Sequence, residues 1–92
     1  MTHIKLTDYI SLNDQAVLLN VLAYALKNWG NPTEEAEIMK IIAKIGNADD
    51  LIKSDAMLLL RVYSMMVKLF PNNKELQFEG ISSLRESINS MQ

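Results

Sequence analysis

Two stretches constrain this chain more than anything else in it: DQAVLLNVLAYALKNWGNP, residues 14–32, and DAMLLLRVYSMMVKLFPNN, residues 55–73. Each is apolar over most of its length and stops at a break, Gly30-Asn31-Pro32 in one and Pro71-Asn72-Asn73 in the other. Neither alternates convincingly with period two, and in the second the polar positions Arg61, Ser64 and Lys68 recur three and four residues apart, so both read as helices. Both are also greasier than one buried face requires, since a helix on the side of a small bundle needs an apolar arc of roughly 100°.

The breaks fix the phase of the rest. Gly30 is a natural residue just past a helix end. Asn31-Pro32 restarts a helix at once, because proline in the first helical position loses no hydrogen bond and already has helical φ. Glu34, Glu35 and Glu37 then fall in or near a first turn, where the helix dipole favours carboxylates. Ile38, Ile41, Ile42 and Ile45 form a stripe at spacings of three and four that ends at Gly46.

The segment NADDLIKSD leads into the third helix, with Asn47, Asp49 or Ser54 as its cap. That helix stops near Leu69, because Pro71 pushes the residue before it out of the α region. Asn72 or Asn73 caps a fourth, striped by Gln77, Ile81, Leu84, Ile88 and Met91, and Gly80 within it marks a close helix crossing. At the front, Asn13 or Asp14 caps the first long helix, with Ser11 upstream, and the first dozen residues, apolar at Ile4, Leu6, Tyr9 and Ile10, can add a short helix.

The expected fold is all-α: one domain over residues 1–92 with a short N-terminal segment, 1–12. Its four main helices lie near 14–29, 32–45, 50–69 and 73–90, arranged as two stacked antiparallel hairpins. A chain of 92 residues buries roughly 60–65% of its unfolded surface, enough for one modest core.

The halves resemble each other: Ala16, Leu18 and Leu19 match Ala56, Leu58 and Leu59, and Lys27, Trp29 and Asn31 match Lys68, Phe70 and Asn72. The junction MMVKLFPNNKELQFEGISSLRESI, through Phe70, Pro71, Asn72, Leu76, Gly80 and Leu84, resembles that of helical-repeat proteins of the armadillo, HEAT and tetratricopeptide kinds. The resemblance implies a partner-binding scaffold, not a chemistry. In length, acidity and lack of cysteine the chain is also similar to the small tetratricopeptide-like chaperones of type III secretion, which hold needle subunits monomeric.

Several functions are argued against. Nine basic residues scattered among eleven acidic ones, with a net charge of −2, give no basic surface for nucleic acid. With no cysteine there is no thiolate catalysis and no Cys-based metal site. His3 is the only histidine and reads as a solvated side chain near the start. The glutamates are explained by their helix start, and Ser82, Ser83, Ser87 and Ser90 lack a histidine base nearby in sequence. No enzyme activity, metal, cofactor or small-molecule substrate is expected. No signal peptide is read at the front, and the apolar runs, broken by Asn20 and Arg61, fall short of the roughly 20 residues of a membrane span, so a cytoplasmic protein is expected.

The excess apolar surface then points to another chain. Along the outer edges of the two long helices, Val17, Asn20, Val21 and Tyr24 of one and Met57, Leu60, Ser64 and Val67 of the other are expected to form one continuous surface. It would accept a helical segment of another protein, or the same surface of a second copy in a homodimer. Met57, Met65 and Met66 suit such a role, being flexible enough to repack against a partner. Two classes fit: an adaptor or chaperone sheltering an amphipathic helix, or a small regulator that binds and blocks a transcription factor, nuclease or toxin.

Overall fold

A computed structural model describes residues 3–76, 78 and 80–90. Four helices carry the fold: α1 (Leu12–Asn28), α2 (Pro32–Gly46), α3 (Lys53–Leu69) and α4 (Ile81–Ser90). Single 3₁₀ turns at Leu6–Asp8 and Lys74–Leu76 precede α1 and α4. Two short strands, β1 (His3–Ile4) and β2 (Leu51–Ile52), pair antiparallel with His3 opposite Ile52 and Ile4 opposite Leu51. The N-terminal helix of the sequence reading is thus one 3₁₀ turn behind a strand.

The caps explain the boundaries. Ser11, rather than Asn13 or Asp14, caps α1: its Oγ accepts from the Asp14 backbone N–H at 3.2 Å. Gly30 follows α1 at φ +78, and the Asn31 side chain accepts from the N–H groups of Thr33 and Glu34, with Pro32 in the first turn of α2. The cap of α3 is none of the three polar candidates. Ile52 occupies that position in extended conformation, and the carboxylate of Asp55 reaches back to its N–H at 3.4 Å.

The second half departs most from expectation. Pro71 and Asn72 lie in a turn and start no helix, and α4 begins only at Ile81, eight residues after the predicted start at 73. Gly80 lies outside α4 at φ +84, and its close approach is to the backbone of Tyr9, not to another helix. Gln77 and Met91 of the predicted stripe lie outside the described residues.

The packing follows from these elements. The short link Trp29–Asn31 folds α2 back along α1, and α3 packs against both, with α4 against α3. Glu34 pairs with Arg61 and Lys44 with Asp55, so α2 and α3 run antiparallel. Leu18 and Leu22 of α1, Ile38 and Ile41 of α2, Leu59 and Val62 of α3 and Leu84 of α4 close one core, with Leu51 of β2 beneath it. Each such side chain contributes about 1.5–3 kcal/mol by leaving water.

Two polar contacts hold the N-terminal segment on this core. Gln15 Nε2 donates to the Ile10 carbonyl at 2.8 Å, and the hydroxyls of Tyr9 and Ser87 lie 2.8 Å apart, tying the segment to α4. Among the described residues no helix is long and apolar enough to cross a membrane.

Candidate functional site

The phase set by Ser11 turns Leu18, Leu22 and Ala25 of α1 into the core and leaves the neighbouring edge half-covered. On that edge Val17 is half-buried, Asn20 is exposed, Val21 is buried and Tyr24 keeps 48% of its surface. Opposite them stand Met66 and Phe70 at the end of α3, then Asn73 and Leu76 of the following turn. Together they enclose a groove of about 290 Å³. Its floor is Val21, Met66 and Leu76, all buried, and Asn20 and Asn73 supply its polar groups.

Aromatic contacts fix its walls. The Tyr24 and Phe70 rings meet edge to face, centroids 5.8 Å apart at 76°, with Phe70 41% exposed. The 3₁₀ turn is pinned from behind: the Tyr63 hydroxyl donates to the Leu76 carbonyl at 2.5 Å, and the Tyr63 ring lies 5.2 Å from that of Phe78. An open apolar groove with an aromatic pair in its wall can take a side-chain row.

The eight residues predicted to form one partner surface are divided. Val17, Asn20, Val21 and Tyr24 all line this groove. Met57 and Leu60 line a different trough, between α3 and α4, with Lys53, Arg85, Ile88 and Asn89. Ser64 and Val67 are half-buried and line neither, and Val67 packs on the core. Leu60 is a correction: it is 8% exposed and belongs to the core. The continuous surface fails because α4 lies beside α3 there, a neighbour that the pattern of α3 alone does not reveal. Conversely, Met66, expected to suit a partner surface, stands in the second wall, and Phe70, Asn73 and Leu76 beside it were missed. The one signal for them is that an aromatic residue ends each long apolar run.

The charged clusters have structural work. Glu34 accepts from the Trp29 indole Nε1 at 3.0 Å and pairs with Arg61, whose guanidinium lies 5.9 Å from the Trp29 ring centre. Three helices are joined at that point. Glu37 pairs with Lys40 one turn on, at 3.7 Å. His3 stands exposed on β1, beside a wide polar depression shared with Asp8, Asp50, Glu86 and Ser87. No group of three or more His, Cys, Asp or Glu among the described residues is arranged to hold a metal ion. No known protein family, curated protein or solved structure matches this chain.

Proposed function

We propose that this protein is a protein–protein interaction module, an adaptor or chaperone that shelters an amphipathic helix of another protein in the groove between α1 and the end of α3. The observation behind the reading is the pair Tyr24 and Phe70: two aromatic rings in edge-to-face contact, yet each left more than two-fifths exposed beside an apolar floor. Apolar side chains left open around a groove are a common mark of an interaction site. A helix presenting apolar residues at every third and fourth position would seat one row between Val17 and Leu76, while Asn20 bonds to its polar flank.

The groove, rather than the helical-repeat resemblance, supports this function. The turn at Pro71 and the late start of α4 make the second helical pair unlike the first, so a type III secretion chaperone is the narrower form of the proposal. A regulator that blocks a nuclease, toxin or transcription factor would use the same groove, and the identity of the bound protein decides between them.

The test is site-specific photo-crosslinking with benzoylphenylalanine in place of Tyr24, in cells of the native source, with the adduct sequenced. The reading expects one dominant adduct on a segment with apolar residues three and four apart. An adduct only with a second copy makes the groove a dimer interface. No adduct, or many without such a segment, overturns it.

A further inference from the structure

Two buried hydrogen bonds mark where the chain leaves the three long helices. Gln15 of α1 donates to the Ile10 carbonyl at 2.8 Å, and Tyr63 of α3 donates to the Leu76 carbonyl at 2.5 Å, with its ring against Phe78. Between these two clamps, α1, α2 and α3 are joined by Trp29, Glu34 and Arg61 and by Lys44 with Asp55. Beyond them lie residues 3–9 at one end of the chain and Gly80 with α4 at the other. These outer pieces are tied to each other. Gly80 sits against the Tyr9 carbonyl with no room for a Cβ, and the Tyr9 and Ser87 hydroxyls lie 2.8 Å apart.

Neither piece is strong alone. α4 has ten residues, five of them Ser or Asn, which are weak helix formers. Helices shorter than roughly 12–15 residues do not hold by themselves in water. The N-terminal piece has one 3₁₀ turn and a strand of two residues, a pairing too short to stand without packing. Both pieces therefore depend on a few apolar anchors, Ile4 and Leu6 in one and Ile81, Leu84 and Ile88 in the other.

We infer that the N-terminal piece and α4 form one cooperative flap, which opens as a unit while α1, α2 and α3 stay folded. Losing either piece strips the other of its contacts at Tyr9, so the two leave together. The flap conceals apolar surface: Ile4 pairs opposite the fully buried Leu51, and Ile88 borders Leu60, which is also buried. Opening uncovers Leu51 and Leu60, so that face is offered only in the open form. All the residues that line the groove beside Tyr24 lie between the clamps, and the flap does not depend on that groove.

The chain has no cysteine, so single introduced cysteines report opening through their reaction with iodoacetamide. Leu6→Cys and Ile88→Cys probe the flap, and Ala25→Cys and Ala56→Cys probe the helices beneath, all four at buried positions. Without denaturant the flap cysteines should react at least about tenfold faster than the other two. The decisive measurement cuts a cavity in one piece and reads the other. Leu6→Ala should speed the labelling of Ile88→Cys, and Leu84→Ala that of Leu6→Cys, each by about thirtyfold or more. Circular dichroism melts check that the variants fold; Ile4→Val and Ile88→Val, at about fivefold each, are the gentler pair. A cavity in one piece that leaves the labelling of the other unchanged means that the pieces open separately and overturns the proposal. So does one common rate for all four cysteines, which is global unfolding.

Discussion

Gly80 lies directly against the backbone of Tyr9. A Cβ added to it would overlap the Tyr9 carbonyl oxygen and stand 2.8 Å from the carbonyl carbon. The φ of +84 also disfavours any side chain there. Both effects act at the point where the N-terminal segment meets α4, close to the Tyr9–Ser87 contact. Gly80→Ala should therefore cost about 2–4 kcal/mol, more than the roughly 1 kcal/mol of a left-handed position alone. Denaturant unfolding measures it, and a loss near 1 kcal/mol would mean that the Tyr9 backbone simply moves aside.

Asp55 is 5% exposed and pairs with Lys44, which keeps a third of its side chain in water. The partners are unequal in what happens when the other is lost. Without Asp55 the ammonium of Lys44 can turn to solvent. Without Lys44 the carboxylate stays buried with the long bond from Ile52 N–H. Lys44→Met should thus cost about 2–4 kcal/mol, while Asp55→Asn, which keeps an acceptor for Ile52, should cost about 1 kcal/mol. Equal losses in the two melts would show that the pair is hydrated rather than buried.

These contacts mark what could and could not be read from the sequence. Asn31-Pro32 and Gly30 were legible because local chemistry alone dictates them: an acceptor for free N–H groups, a ring already at helical φ, and a residue without Cβ. Gly80 looks identical in sequence whether it lies in a helix or before one, and only the position of Tyr9, about seventy residues away in the chain, decides. Asn72 and Asn73 carry the composition of a helix cap, yet the Tyr63 hydroxyl draws the Leu76 carbonyl into a separate 3₁₀ turn. The strands β1 and β2 are two residues long, too short to show alternation. The same division holds at the site: the α1 edge follows from helix phase, and the opposite wall depends on how the chain returns after Pro71.

The joint of Trp29, Glu34 and Arg61 ties three helices but sits at the surface, with Arg61 over half exposed. Exposed ion pairs and cation–π contacts are each worth about 1 kcal/mol or less. Arg61→Ala should then lower stability by about 1 kcal/mol at most while uncovering one face of the indole. Trp29 is the only tryptophan, so its emission should shift to longer wavelength well below the unfolding transition. A loss above about 2 kcal/mol would assign the joint a core role.

Leu60 and Tyr24 stood side by side as expected partner residues, and the structure separates them. Leu60 is 8% exposed beneath the α3–α4 contact, whereas Tyr24 is 48% exposed on the rim of the groove. Leu60→Asp removes a buried apolar side chain and sets a carboxylate at the edge of the core, so it should cost about 3 kcal/mol. A charge at Tyr24 remains in water and removes only the edge-to-face contact with Phe70, so Tyr24→Asp should cost about 1 kcal/mol. The two variants thus separate folding from binding. Tyr24→Asp should melt close to the wild type yet lose a helix seated in the groove, with a fall in affinity of about 2 kcal/mol, as for a central aromatic anchor. A calorimetric melt beside a titration with the crosslinked segment reads both. If Tyr24→Asp unfolds as readily as Leu60→Asp, the groove is part of the core, and its aromatic pair is there to hold α1 against α3.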